Sequence, residues 1–227
     1  SLVGDPVLFD TGEFPWVAEL ESQWPTIRAE LDEVMALRDR LPTLADIQPD
    51  QKKIASDPRW KVFFFRGLGH RSERNCARCP RTAALIEQIP GAEMAFFSIL
   101  SPGMHVPRHA GLTKGLIRCH LALKVPTHGD RCWMKVGDET FRWHEGRAVV
   151  FDDTRKHEVW NESDEERAVL LVDFQRPMRW PGRLAFRTLR GLLRASPFVR
   201  DGRRNQEAWE ARLDAPEPPP RGVEALL

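Results

Sequence analysis

Between Glu93 and Phe174 the chain is a succession of short apolar runs parted by turn residues, and this restricts the fold more than anything else in it. The runs are Met94–Leu100, Leu116–Val125, Arg131–Val136, Glu139–Trp143, Ala148–Phe151, Glu158–Asn161 and Ala168–Phe174. Each has strand length, and within the second Ile117, Cys119, Leu121 and Leu123 alternate with Arg118, His120, Ala122 and Lys124, the two-residue period of a strand. Turns fall at Ser101-Pro102-Gly103, at Thr127 to Asp130, at Gly137-Asp138 and at Glu145-Gly146. Strands this close together, with no helical pattern between them, predict a sandwich or barrel rather than βαβ units.

The flanks read differently. Val17, Leu20, Trp24, Ile27, Leu31, Val34 and Met35 recur at three- and four-residue spacing, predicting an amphipathic helix from about Pro15 to Arg40 that Pro42 ends. A polar stretch to Asp57 follows, then a buried strand at Trp60 to Phe65, a basic loop from Gly67 to Arg81, and a short helix from Thr82 to Ile89. Beyond Pro177, arginines at 179, 183, 187, 190 and 194 alternate with Leu184, Phe186, Leu189, Leu192 and Leu193, the pattern of a basic amphipathic helix. Arg200, Arg203 and Arg204 form a second basic cluster. The expected organisation is one domain over residues 1–227: a helical lead-in (1–92), a β core (93–177), a basic helical extension (178–213) and a disordered Pro-rich tail (214–227).

Composition narrows the class. With 41% hydrophobic residues, 30% charged and a net charge of +1, the chain suits an ordinary soluble globular protein with no overall attraction to nucleic acid. No signal peptide is visible, and no run approaches the roughly 18 apolar residues of a spanning helix. Four cysteines are too few for a disulfide scaffold, so a reducing, cytoplasmic setting is expected. Cys76 and Cys79 form a single CxxC, read as two free loop thiols or as a zinc or redox pair.

Among seven histidines, His109 enters a strand and His157 starts one, so the two could meet on neighbouring strands and bind a divalent metal through neutral imidazole nitrogens. His70, His128 and His144 lie in or beside loops and turns, and His105 is read as structural. Two-histidine iron sites commonly draw a carboxylate from two positions after the first histidine. That position is Gly111, which counts against a three-ligand site; Asp152 and Asp153 could serve instead, or could be turn chemistry. Ser98, Arg118, His120 and Arg167 all lie on predicted strands. The two arginines either face solvent or point inward, where a guanidinium needs a carboxylate to grip.

At these residues the chain resembles the aspartyl/asparaginyl β-hydroxylase family of Fe(II)/2-oxoglutarate oxygenases. The matching pieces are FSILSPGMHVPRHAG, RCHLALKVP, EGRAVVFDDTRKHEVWNES and ERAVLLVDFQRP, in the family's order across about Ser98 to Pro177. Weaker similarity reaches back through Trp24–Leu31 and Asn75–Pro90. The resemblance implies a mainly β fold, a double-stranded β-helix barrel with flanking N-terminal and C-terminal helices. It implies that His109 and His157 hold Fe(II), family members having glycine at the position of Gly111. It further implies that Ser98 and Arg167 bind the distal carboxylate of 2-oxoglutarate, and that Arg118 and His120 lie at its metal-proximal end. The implied reaction consumes O2 and 2-oxoglutarate, yields succinate and CO2, and hydroxylates a C–H bond.

Substrate is where the chain departs from the family pattern. Protein-directed members carry an arginine two residues before the one matched by Arg118, and here that residue is Leu116. Members that hydroxylate fatty-acyl chains of membrane lipids fit Leu116 better, and the basic segment 179–204 could then make peripheral contact with the inner membrane face. Its leucines could equally pack on the barrel. Hydroxylation of the β-carbon of Asp or Asn in a protein, peptide or small molecule is the second reading. A non-catalytic metal- or anion-binding barrel is the third.

Overall fold

The computed structural model describes residues 1–55, 57–67 and 69–214. The Pro-rich tail expected from 214 lies, apart from Asp214, outside the described residues.

The strands are β1 (Leu8–Phe9), β2 (Trp60–Gly67), β3 (His70–Arg71), β4 (Ala92–Leu100), β5 (Met104–His109), β6 (Leu116–Lys124), β7 (Cys132–Val136), β8 (Glu139–Arg142), β9 (Ala148–Phe151), β10 (His157–Asn161) and β11 (Arg167–Gln175). They form a seven-stranded sheet in the order β1-β9-β6-β11-β4-β2-β3 and a four-stranded sheet in the order β5-β10-β7-β8. All pairings are antiparallel. From β4 to β11 the chain passes back and forth between the sheets, which is the expected double-stranded β-helix.

Alternation along each strand then divides the side chains between two cores. Outward-facing Ile117, Cys119, Leu121 and Leu123 of β6 join Phe97, Ile99, Leu170 and Val172 beneath the N-terminal helices. Inward-facing Ala122 joins Phe64, Phe96, Leu100, Val106, Met134, Phe151, Val159 and Leu171 between the sheets. Arg118 and His120 share the inward face with Ala122, so the period-two pattern carries them into the barrel. Phase decides which residues can meet there.

Helices α1 (Trp16–Ser22) and α2 (Trp24–Met35) replace the single helix expected from Pro15 to Arg40, with a break at Gln23. Pro25 causes it: in the first turn of α2 its missing N–H is no loss, whereas inside one long helix it would be. Single-turn helices α3 (Leu44–Ile47) and α4 (Lys52–Ala55) follow. The basic loop expected at 67–81 instead contains β3 and α5 (Glu73–Arg78), the latter capped where Ser72 Oγ accepts from Asn75 N at 3.1 Å, ahead of α6 (Pro80–Gln88). Cys76 and Cys79 are therefore buried against the helices rather than being loop thiols. Burial pushes both thiols up, Cys76 to about 11, which leaves them unreactive.

Two long helices close the described chain, α7 (Trp180–Ala195) and α8 (Pro197–Asp214). Glu93, almost fully buried at the start of β4, fastens α7 to the barrel. It accepts from Arg190 Nη1 at 2.6 Å, Arg194 Nη2 at 3.1 Å and Gln175 Nε2 at 2.7 Å.

Candidate active site

His109 ends β5 and His157 begins β10, and the register of these neighbouring strands sets the two residues directly opposite each other. The segment around His105 and His109, which lies outside the apolar runs that predict strands, is thus an edge strand. Pro107 is tolerated there because an edge strand has one side with no ladder to donate to. The imidazole centroids lie 4.1 Å apart. In each ring Nδ1 faces a backbone carbonyl two residues earlier, Pro107 O at 2.7 Å for His109 and Arg155 O at 2.9 Å for His157. A ring nitrogen meeting a carbonyl must carry the proton, so both Nδ1 atoms donate and both Nε2 atoms keep lone pairs. Burial and the nearby Arg118 lower both side chains, and for His157 the neighbouring His109 adds to this, bringing it to about 3, so both rings are neutral. His157 Nε2 is buried without a hydrogen-bond partner. Two neutral imidazoles, each oriented by its own backbone and presenting a free lone pair, form a donor set that suits a divalent transition metal.

Gly111 explains why no carboxylate stands two residues after His109. Its N–H donates to Asp153 O at 2.8 Å, and a Cβ there would lie 1.6 Å from Asp153 Oδ2. The neighbourhood does hold a carboxylate, but it comes from the β9–β10 turn. Asp153 Oδ1 sits 3.5 Å from His157 Nε2 and 2.6 Å from Arg118 Nη1. No group of three His, Cys, Asp or Glu side chains among the described residues is arranged to hold a metal, so Asp153 stands beside the pair rather than completing a triad. Its neighbour Asp152 does the turn chemistry, accepting from Thr154 N and Oγ1 at 3.0 and 2.6 Å and pairing with Lys114 and Arg176. One member of the Asp pair therefore belongs to the turn and the other to the site. Nothing local in the sequence separates them.

Arg118 lies inside the barrel. Its Nε and Nη2 donate to Asp173 Oδ1 and Oδ2 at 2.6 and 2.8 Å, opposite it on β11, while Nη1 meets Asp153. Burial works to lower the guanidinium, and the two carboxylates outweigh it, so it stays charged. Each terminal nitrogen keeps a second N–H for another acceptor.

Arg167 is the contrasting case. It is 2% exposed, forms no ion pair among the described residues, and donates to Ser98 O at 3.3 Å with its Nε unpartnered. Burial lowers it to about 10. It lies over the Trp143 ring at 4.6 Å, and Trp60 Nε1 donates to Ser98 Oγ at 3.1 Å beside it. A buried cation without a counter-charge is costly, and one arranged to receive an anion is the ordinary reason to keep it.

Between the two ends lies His120, with both ring nitrogens buried and unpartnered, 6.1 Å from Trp143 and 5.0 Å from Phe151, which in turn is 5.9 Å from His157 (all ring centroids). Burial, Arg167 and Arg118 keep His120 neutral. A row of unpaired polar atoms, His157 Nε2, His120, Trp143 Nε1 and Arg167 Nε, thus runs through the interior beside the paired Arg118 cluster. Such a row suits a short dicarboxylate laid between a metal and a guanidinium. His105, by contrast, faces outward, stacking on Trp160 at 5.1 Å and meeting Glu158 at 2.7 Å. Trp143, Trp60 and Asp173 were not legible as site residues, since each gains its role only by facing the interior, and Asp153 was legible only as one of the Asp152-Asp153 pair.

Residues 21–177 match the family model described as aspartyl/asparaginyl beta-hydroxylase. The chain belongs to that family. It is 43% identical over 213 residues to an ornithine lipid ester-linked acyl 2-hydroxylase of Rhizobium tropici, covering 94% of this chain and 76% of that protein. It is 33% identical over 177 residues to the human aspartyl/asparaginyl beta-hydroxylase, covering 76% of this chain and 22% of the human protein. It is 38% identical over 140 residues to the mouse aspartate beta-hydroxylase domain-containing protein 2, covering 57% of this chain and 40% of that one. The chain therefore spans most of the bacterial relative but less than half of either mammalian one.

Proposed function

We propose that the protein is an Fe(II)/2-oxoglutarate-dependent hydroxylase that acts on the fatty-acyl chain of a membrane lipid. The single observation that carries the cofactor assignment is the pair of neutral, pre-oriented imidazoles facing the unpaired row that ends at Arg167. Bound iron, 2-oxoglutarate and O2 would supply the oxidant, so that R–H, 2-oxoglutarate and O2 become R–OH, succinate and CO2.

This chain's residues divide the remaining work. His109 and His157 hold the metal through Nε2, each ring fixed by its Nδ1–H on a carbonyl. Arg167 and the Ser98 hydroxyl bind the distal carboxylate of 2-oxoglutarate, and the missing counter-charge on Arg167 favours that anion over water. His120 and the spare N–H groups of Arg118 orient the end nearer the metal. Arg118, tied to Asp173, also holds the Asp153 carboxylate beside the imidazole pair, where it stands as a hydrogen-bond acceptor next to the two residues that would hold the metal. Phe151, Phe64 and Phe96 exclude bulk water from the interior.

The lipid substrate is supported by the Rhizobium relative, which matches nearly the whole chain, and by Leu116 at the start of β6, which provides no charge for an acidic target. Hydroxylation of Asp or Asn is the second reading, supported by the family description and the human relative. We place the protein in the cytoplasm, with peripheral contact at the inner membrane face; no helix among the described residues is long and apolar enough to cross a membrane.

Succinate release from 2-oxoglutarate should require added Fe(II) and vanish in His109→Ala and His157→Ala. Full turnover in both variants would remove the metal assignment, and with it the choice of an enzyme over a silent barrel. A gain of one oxygen in the lipid fraction of cells expressing the protein, and none in the peptide fraction, would decide between the two substrates.

A further inference from the structure

Six large hydrophobic side chains are exposed among the described residues, and they share one region. Trp180, Leu184, Leu189 and Leu192 lie on α7. Leu2 is tied to the start of that helix, its N–H donating to Pro177 O at 2.8 Å. Leu112, 80% exposed, sits in the loop between Gly111 and Gly115, and that loop packs on α7 so closely that a Cβ on Gly115 would lie 2.0 Å from Phe186. The same loop joins His109 to β6, so the patch borders the candidate active site.

The polarity of α7 is reversed for a surface helix. At 3.6 residues per turn, Phe186 and the half-buried Gly182, Arg190 and Leu193 face the barrel. The opposite face presents Trp180, Leu184, Thr188, Gly191 and Ala195, with Leu192 beside them and no charged side chain. A helix that met only water would be charged there. The arginines occupy one flank: Arg190 and Arg194 reach back to Glu93, while Arg183 and Arg187 are exposed with no carboxylate partner among the described residues.

Helix α8 makes the contrast. Its buried stripe is Gly202, Gln206, Glu210 and Leu213, and two of its outer arginines are neutralised locally, Arg203 by Glu207 at 2.8 Å and Arg204 by Asp201 at 3.2 Å, while Arg200 at its start has no carboxylate partner among the described residues. Of the basic residues spread over 179–204, the fold thus leaves Arg183 and Arg187 as an unneutralised flank beside the uncharged face of α7, whereas α8 presents no such apolar outer face and pairs Arg203 and Arg204 locally.

We infer that α7, with Leu2 and Leu112, is a docking platform for the surface of an anionic lipid bilayer. Its uncharged face enters the headgroup–acyl boundary, and Arg183 and Arg187 meet lipid phosphates. An apolar face with aromatic and leucine side chains and a cationic flank matches that surface in both polarity and charge. The inference rests on the proposed lipid-acyl reading and adds to it the part of the chain that brings the site to its substrate.

The test is co-sedimentation of the whole chain with vesicles of phosphatidylcholine alone and with phosphatidylglycerol added. The parent should bind the anionic vesicles and not the neutral ones. Arg183→Glu with Arg187→Glu should weaken binding at least about thirtyfold, and Leu184→Asp with Leu192→Asp at least about tenfold. Because all four side chains are exposed, melting temperatures should stay at the parent value, so lost binding cannot be lost folding. Arg203→Glu on α8 should bind as the parent does. Equal binding of the parent to both vesicle types, or variants that bind like the parent, would overturn the platform. The same lipids dispersed in detergent micelles separate it from the catalytic reading. Succinate formation on micellar lipid without vesicle binding sinks the platform alone, whereas vesicle binding without lipid-dependent succinate supports the platform and sinks the substrate.

Discussion

Placing alanine at Gly111 tests the geometry of the candidate site with one methyl group. Gly111 does not adopt a left-handed conformation, so the backbone itself would accept alanine. The obstacle is space: the new Cβ would lie 1.6 Å from Asp153 Oδ2 and 2.5 Å from its Cγ. The carboxylate must swing away, and in doing so it releases Arg118 Nη1, now 2.6 Å from Oδ1. Overpacking costs about 1–3 kcal/mol, and parting the Asp153 carboxylate from the ion pair with Arg118, which leaves it buried without its partner, about 1–3 kcal/mol. Gly111→Ala should therefore destabilise by about 4 kcal/mol, a fall of roughly 8–16 °C in melting temperature for a domain of this size. With Asp153→Ala already in place, only the Cβ of residue 153 at 3.2 Å remains to yield a few tenths of an ångström, and the same substitution should cost less than about 1 kcal/mol. The assay is a double-mutant cycle by thermal or denaturant unfolding. If the two substitutions add to within about 0.5 kcal/mol, the carboxylate is not what keeps residue 111 a glycine, and the placement of Asp153 beside the histidines is wrong.

Three further outcomes follow from named contacts. Arg167→Met removes a buried cation with no counter-ion, so the melting temperature without cosubstrate should hold or rise, while KM for 2-oxoglutarate rises about a hundredfold; an unchanged KM would refute its role. Glu93→Ala should release α7, raising hydrogen exchange of its amides about tenfold while leaving the β11 amides protected; uniform protection would show that the helix is held by other means. Burial works to raise the Asp152 carboxyl, but Lys114, Thr154 and Arg176 outweigh it and hold it at about 2. A folded-state value depressed from 3.8 means stability that is fully present above about pH 4 and lost as pH falls to about 2. The loss is worth about 2 kcal/mol. Asp152→Asn should therefore be less stable than the parent at neutral pH and converge with it near pH 2, as unfolding at a series of pH values would reveal.

The sequence by itself determined the class of fold and singled out His109 and His157 as the candidate metal pair. Period-two alternation from Glu93 to Phe174 is a local property of the chain, and once Arg118 and His120 share phase with Ala122 they can only enter the barrel or leave it together. The spacing of motifs around His109 and His157 likewise survives in one dimension. What the tertiary structure decided depends on residues far apart in sequence. It gave Arg118 two carboxylates, Asp173 opposite it on β11 and Asp153 from the β9–β10 turn, and among the described residues it left Arg167 none. It also filled the space beside Gly111 with the Asp153 carboxylate. Helical periodicity in 179–194 announced an amphipathic helix, but not which face would be covered. Only the docking of Phe186 on Gly115 and of Arg190 and Arg194 on Glu93 turned the uncharged face outward, because a helix buries whichever stripe its neighbours can receive.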